Sequence, residues 1–386
     1  MIHCCGGRLA AAAGFHRWHL IINHPSRCTG ADMGDAYIVA AFRELDGVGD
    51  TSEYAHVEAN LSNLGVHPLR LTIDPLRAGW YAPVEENHFR SGCAPVQAIA
   101  TARDLIKRDA ARALVIEGHE PLKTGYERDE RHRMMAIYGA DYSIPEAYTD
   151  VAREFIKRHG ISKSAFKEIA KLLFENYERT FYRTNSRMRP DEKWFEFITE
   201  LFRGVDCANP VVDFSGKLLI CESSVAERVA LPGAALVEIA GVGLGFTGDG
   251  RENVSRIAAY SHLEEAYRIA CRQADTDFSS EYRAGRALLE AYTCFPVAPM
   301  GLLLASGIAS SINDIPLILQ EHEVTVTGGM NLAGAPWNNP ALNALITMYE
   351  LLNKAQLRIA AVHGNGGMGF SQGIALLKRR EPTMNN

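Results

Sequence analysis

Asn87-His-Phe-Arg-Ser-Gly-Cys-Ala-Pro-Val-Gln-Ala-Ile99 is a turn-rich stretch that runs into a helix, with Cys93 two residues before Pro95. Proline suits the first helical turn, and from Pro95 to Lys107 the residues Val96, Ile99, Ala102 and Ile106 recur at helical spacing. Arg112-Ala-Leu-Val-Ile-Glu-Gly118 follows as a short β-branched run, the pattern of a buried strand. Working outward, Lys217-Leu-Leu-Ile-Cys221, Ala235-Leu-Val-Glu-Ile-Ala240, Val324-Thr-Val-Thr327 and Leu357-Arg-Ile-Ala-Ala-Val-His363 also read as buried strands. Pro340 to Leu352 repeats the helical pattern through Leu342, Leu345, Met348 and Leu352. Strands alternating with helices predict an α/β core. The stretch from Tyr126 to Pro210 differs: it is rich in Arg, Lys, Glu, Phe and Tyr, and its helical periodicity at Ala152-Phe155-Ile156 and Phe166-Ile169-Leu172-Leu173 predicts a helical insertion.

Composition limits what such a core can do. A chain of 386 residues can bury a large interior and divides naturally into two or three domain-sized units. With 47% hydrophobic and 22% charged residues it has globular composition, and no apolar run approaches the roughly 18 residues of a membrane span. The net charge of -6 argues against a nucleic-acid partner. Eight cysteines without any CxxC pair suggest neither a disulfide framework nor a structural metal, so a reducing cytoplasm is the expected location. Cys4 and Cys5 receive no role. The apolar run Leu9 to Phe15 faintly resembles a leader peptide, but His16, Arg17 and His19 close it at once, and no secretory leader is expected.

Four segments carry chemistry. Cys93 stands where a helix N-terminus lowers a thiol pKa and offers N–H groups to an oxyanion; a buried free cysteine fits the same spacing. In Glu290-Ala-Tyr-Thr-Cys294-Phe-Pro, Tyr292 and Thr293 interrupt an apolar stretch, so they either hydrogen-bond internally or face a pocket. Thr327-Gly-Gly-Met-Asn-Leu-Ala-Gly-Ala-Pro-Trp-Asn-Asn-Pro340 allows close backbone approach, with Asn338 and Asn339 placed to cap the next helix. Val362-His-Gly-Asn-Gly-Gly-Met-Gly369 offers several N–H groups to an anion, with His363 at its mouth for proton transfer; a tight turn with a structural histidine fits equally well. Arg183, Arg187 and Arg189 are either contacts for phosphates or part of a solvated basic helix.

In this order the segments resemble the thiolase superfamily, particularly its divergent sterol-carrier-type and thiolase-like branch, from about Asn87 to Leu376. Ile116-Glu-Gly-His-Glu120-Pro resembles the family's Gly-Gly-x-Glu-Ser strand end, and Asp213-Phe-Ser-Gly216 its Asp-Gly-Ala-Ala strand. Tyr292-Thr-Cys-Phe295, Gly334-Ala-Pro336 and His363-Gly-Asn-Gly-Gly367 stand at its Asn-Glu-Ala-Phe, Gly-His-Pro and Cys-x-Gly-Gly-Gly boxes. The resemblance implies a duplicated αβαβα five-layered sandwich with a helical loop domain: 20–125 plus 211–250 as the first half, 126–210 as the insertion and 251–386 as the second half. It also implies an acyl-CoA substrate with no permanently bound cofactor, and a homodimer or a complex with a partner subunit.

Departures from the motifs bear on activity. Counted without gaps from Glu120, the family's nucleophile position falls on Gly92; Cys93 takes it only with a one-residue indel. Ala335 replaces the histidine that binds the thioester oxygen, Tyr292 replaces the Asn or His of its box, and His363 replaces an acid/base cysteine. Losing one oxyanion donor typically costs about 2.7 to 4 kcal/mol, so ordinary thiolase turnover is not expected. The leading expectation is an acyltransferase with Cys93 carrying the acyl group, His363 moving protons, and Gly366, Gly367, Tyr292, Ala335 and Asn338 around the CoA thioester. The rival is an inactive acyl-CoA or lipid-binding protein, or one subunit of a thiolase complex.

Overall fold

The computed structural model describes residues 35–185, 189–354 and 357–380. Cys4, Cys5, the leader-like run, the start of the first half at residue 20 and Arg187 lie outside the described residues.

Along the chain run β1 (Ala36–Leu45), β2 (Val48–Gly49), α1 (Ser52–Asn63), β3 (Leu69–Ile73), β4 (His88–Phe89), α2 (Ala94–Lys107) and β5 (Ala113–Pro121). The insertion contributes α3 (Arg128–Met135), α4 (Ile144–His159) and α5 (Lys163–Thr184). Then come β6 (Asp213–Glu222), α6 (Ser223–Val229), β7 (Leu236–Phe246), α7 (Val254–Ile257), α8 (Ser261–Gln273), α9 (Phe278–Arg283) and β8 (Ala287–Glu290). The chain continues through α10 (Val297–Ala305), α11 (Ile315–Glu321), α12 (Gly329–Leu332), α13 (Pro340–Lys354), β9 (Ile359–Gly366) and β10 (Ser371–Arg380).

The strands form one sheet in the order β4-β3-β5-β6-β1-β7-β10-β9-β8, with β2 paired to β1. This order is a repeat. In β1-β6-β5-β3 the first two steps are antiparallel and the last is parallel, and β7-β10-β9-β8 does the same. The two sets join where Tyr37 and Ile38 pair with Glu238 and Val237. Pairing therefore assigns β7 to the second repeat, not to the first half in which residues 211–250 were expected.

Layering follows from which apolar faces need cover. Helices α2 and α13 touch each other and strands of both repeats, and share a core of Ile99, Leu114, Ile220, Leu345 and Val362. Outside the first repeat, α1 and α6 bury Val57, Leu61 and Val225 against β1 and β6. Outside the second, α8 and α10 form a larger core that is continuous with Phe155, Phe166 and Tyr177 of the insertion. These are the five layers, helix–strand–helix–strand–helix, of a thiolase-like fold.

One expected strand is absent: Val324-Thr-Val-Thr327 is irregular. Its β-branched residues invite pairing, but side chains occupy its backbone. Val324 N–H donates to Asn176 Oδ1, while Val326 and Thr327 N–H donate to the Glu290 carboxylate at 2.6 and 3.0 Å. No helix among the described residues is long and apolar enough to cross a membrane.

Candidate active site

Both central helices begin in the same strained way. Ser91 (φ 150°) precedes α2 and Trp337 (φ 45°) precedes α13 by three residues, each in backbone space that favours glycine. Strain of this kind costs of order 1–3 kcal/mol and persists where surrounding packing fixes it. At α2 the turn is held by Ser91, whose hydroxyl accepts the Cys93 N–H and whose carbonyl accepts the Ala94 N–H.

The turn decides which residue faces the pocket. A side chain at Gly92 would run into the Tyr292 hydroxyl and the Asn365 carbonyl, so position 92 points at the Tyr292 box and the glycine loop. Cys93 points elsewhere: its Sγ lies against Gly373 of β10, bonded to Ser371, and is 0% exposed. Burial pushes its thiol up to about 12, so it stays neutral near pH 7. The helix N-terminus does not offset that desolvation, and the expected nucleophile is turned into the core.

Tyr292 itself is buried, and burial holds its phenol well above the usual range, so it is a neutral donor. Its hydroxyl has no hydrogen-bond partner among the described residues. Its backbone N–H, by contrast, donates to His363 Nδ1 at 3.3 Å and starts a directed chain. With Nδ1 accepting, His363 Nε2 carries the proton and donates to Gln372 Oε1 at 2.7 Å. Gln372 Nε2 donates to Asn365 Oδ1 at 2.7 Å, and Asn365 Nδ2 donates to Tyr148 Oη at 2.7 Å. Tyr148, from α4 of the insertion, donates to the Gly367 carbonyl at 2.7 Å and accepts from Cys294 Sγ at 3.2 Å.

Every side chain of this network is buried. Both His363 nitrogens are engaged, and burial pushes its pKa down to about 4. Proton transfer through His363 would require one of these two hydrogen bonds to open. In the glycine loop the Gly366 and Gly367 carbonyls accept from Gly369 N–H and Tyr148, and Met368 N–H donates to Tyr138 at 2.8 Å.

The remaining expected residues close the far side. Ala335 N–H donates to Asn209 O, and Asn338 Nδ2 donates to Asp74 O at 2.8 Å, tying the two repeats together rather than capping α13. The Asn339 side chain has no partner among the described residues, so it caps nothing. Between the Tyr292 box and α13 lies a small cavity of about 10 Å³, room for about one water, bordered by Tyr292, His363, Thr327, Gly334, Asn343 and Glu290. Glu290 accepts three hydrogen bonds from residues 326 and 327, yet burial still pushes its pKa up to about 7.

Sequence reasoning singled out Tyr292 and His363 but gave no place to Tyr148, Asn365, Gln372 or Glu290, which the structure sets around them. Tyr148 reads as one more core position of α4, and Glu290 gives itself away only as a carboxylate at the end of an apolar strand. No group of three or more metal-binding side chains occurs among the described residues.

No family model matches the sequence, and no curated protein matches it. Solved structures do. The chain is similar to a monomeric SCP2-thiolase-like protein type 1 (STLP1) from Mycobacterium smegmatis, with TM-score 0.64 and 16% identity over 90% of this chain and 78% of that one. It is similar as well to the Ltp2-ChsH2(DUF35) aldolase, with TM-score 0.64 and 13% identity over 92% of this chain and 99% of that one. At these identities the likeness establishes the fold.

Proposed function

We propose that this thiolase-fold chain binds an acyl-CoA thioester at the Gly92–Tyr292 pocket and makes or breaks a carbon–carbon bond of the aldol type, without an acyl-cysteine. One observation carries the reading: the motif's nucleophile position is Gly92, and the space its side chain would fill is held by a phenol with no protein partner. Claisen chemistry of the thiolase kind needs a thiolate to hold an acyl group, whereas aldol cleavage needs only a base and a site for an enolate oxygen.

In the cleavage direction, the 3-hydroxyl of a 3-hydroxyacyl thioester gives its proton to a base as the C2–C3 bond breaks. The bond's electron pair moves onto the thioester as an enolate, C3 leaves as a carbonyl, and C2 is then protonated. Tyr292, neutral and in a dry site, donates to the enolate oxygen. Glu290, on the same cavity and poised near neutrality, takes the hydroxyl proton. The name of the similar aldolase supports this class of reaction.

The test is intact-protein mass spectrometry with acetyl-, acetoacetyl- and 3-hydroxyacyl-CoAs, alongside turnover of the 3-hydroxyacyl substrates. No acyl mass should appear on Cys93, Cys93→Ala should keep turnover, and Tyr292→Phe should lose about 100-fold or more in kcat. A Cys93-dependent acyl adduct would overturn the reading.

A second reading, a binding subunit completed by another chain, draws on the two components named for the similar aldolase, Ltp2 and ChsH2(DUF35). CoA affinity without any turnover by the chain alone would favour it. The mass of the purified particle separates that arrangement from the homodimer expected from the resemblance.

A further inference from the structure

The basic residues of α5 and the segment beyond it are already committed: Arg183 is paired with Glu323, and Arg189 stands 3.8 Å from Glu178. Arg43 of β1 instead reaches across to α13. Its guanidinium donates to Asn343 Oδ1 at 3.1 Å, to the Thr347 hydroxyl, and to Glu350 at 3.1 Å. Asn343, Thr347 and Glu350 follow one another at helical spacing, a polar stripe on a helix whose other core residues are apolar.

The stripe fixes an orientation. An amide presents an oxygen on one side and a nitrogen on the other, and a guanidinium only donates, so the Asn343 atom beside Arg43 is the oxygen. Asn343 is 8% exposed, and its Nδ2 has no hydrogen-bond partner among the described residues. A buried donor destabilises the fold unless an acceptor meets it. Asn343 borders the cavity of about 10 Å³ that it shares with Glu290 and Tyr292. Most other polar groups of that wall are engaged. Both His363 nitrogens are bonded, the Thr327 hydroxyl donates to Glu290 Oε1, and Glu290 Oε2 accepts from Val326 and Thr327 N–H. What remains is the Asn343 donor, one lone pair on Glu290 Oε1, and the Tyr292 hydroxyl, assigned above to the enolate oxygen. A donor and an acceptor across a space of one water match a hydroxyl group, which accepts from the first and donates to the second. The same space has no room for an acyl chain.

We infer that Asn343 sets the specificity of the site: its Nδ2 donates to the 3-oxygen of the thioester substrate, and Arg43 is the positioning residue that turns the amide this way. The inference rests on the proposed thioester function. As the C2–C3 bond breaks, the 3-oxygen passes from hydroxyl to carbonyl and its proton goes to Glu290. It accepts from Asn343 in both forms, so the amide selects for the oxygen itself and distinguishes a 3-hydroxyacyl chain from a plain acyl chain.

The experiment is calorimetric titration of the full chain with two thioethers, S-(3-hydroxybutyl)-CoA and S-butyl-CoA. They differ only in the 3-oxygen, and without a thioester carbonyl neither forms an enolate, so both survive the titration. Wild type should bind the hydroxylated probe about tenfold more tightly. Asn343→Leu should bring that preference to about unity with S-butyl-CoA affinity unchanged, and Arg43→Met should lower it about threefold. Equal affinity for the two probes in wild type, or a preference that survives in Asn343→Leu, overturns the inference; cleavage of 3-hydroxybutyryl-CoA in that case leaves the thioester reading standing. An Asn343-dependent preference in a chain that cleaves no 3-hydroxyacyl-CoA supports the 3-oxygen subsite and overturns the aldol reading. If Asn343→Leu loses S-butyl-CoA as well, the Arg43→Met preference decides, and one equal to wild type overturns the inference. Binding of neither probe by wild type overturns it too.

Discussion

Two tyrosines within one buried site differ in what their hydroxyls do, and under the proposed function that difference separates chemistry from scaffolding. Tyr148 Oη is bonded to Gly367 O, Asn365 and Cys294, so Tyr148→Phe strands buried partners and should cost about 1–3 kcal/mol in urea unfolding. Tyr292 Oη has no such partner, so Tyr292→Phe should leave the unfolding free energy within about 0.5 kcal/mol of wild type while, under the proposed function, lowering kcat about 100-fold or more. Equal stability losses in the two variants would make Tyr292 another scaffold residue. His363 supplies a pH signature. Its folded pKa of about 4 lies below the ordinary 6.5, so the unfolded chain binds more protons between those values. Its contribution is therefore complete above about 6.5 and lost as pH falls toward 4, at most ~3 kcal/mol. Glu120 and Glu290, raised from 4.5 to about 7, act oppositely, contributing fully below 4.5 and losing that contribution as pH rises through 7. The difference in unfolding free energy between wild type and His363→Gln should thus grow from pH 4 to 6.5 and then level off; a difference independent of pH would exclude a neutral buried imidazole. Sequence pointed to His363 through its glycines. It could not show that both ring nitrogens are taken, because their partners stand 71 residues away at Tyr292 and across the next strand at Gln372. The choice between Gly92 and Cys93 turned on a single residue of offset at a strained turn, which no apolar pattern records.

At the scale of elements, β7 and α8 pack backbone to backbone. A side chain at Gly241, Gly243 or Gly245 would strike the carbonyls of Ala270, Ala266 and His262, so the glycine-bearing face of β7 is the seat of the helix. Gly243→Ala should destabilise by more than about 2 kcal/mol, read as a lower urea midpoint, because the obstacle is helix backbone and not a movable side chain. A midpoint unchanged by the substitution would mean that α8 can lift away freely. Helices α2, α13, α4 and α5 were legible because their apolar stripes recur at helical spacing and Pro95 and Pro340 mark two of their starts. The run 324–327 misled for the converse reason: β-branched residues announce a strand, and only the folded chain brings the Glu290 and Asn176 side chains to its N–H groups. Tyr148 was hidden among Ala147, Val151, Ala152 and Phe155, on a stripe whose evident purpose is packing.

At the scale of the molecule, α2 and α13 are buried by strands of both repeats, so neither repeat owns a complete core. Residues 35–235 and 236–380 produced separately should each lack a cooperative urea transition, and mixing them should restore one. A cooperative transition in either piece alone would show that the shared helices are dispensable. The resemblance read from short motifs anticipated the layers. It implied the duplication too, which the strands themselves do not show, since equivalent strands such as Leu69-Arg-Leu-Thr-Ile73 and Ala287-Leu-Leu-Glu290 share a place in the sheet and little else. The strand order also sets a timetable for synthesis. Strand β1 leaves the ribosome first, but its antiparallel partner β6 lies beyond the whole insertion. At ~5–20 residues per second that is a wait on the order of ten to thirty seconds with an apolar edge unpaired. A pause that prolongs this exposure favours aggregation over pairing, so slower translation through residues 126–210 should lower the yield of soluble protein.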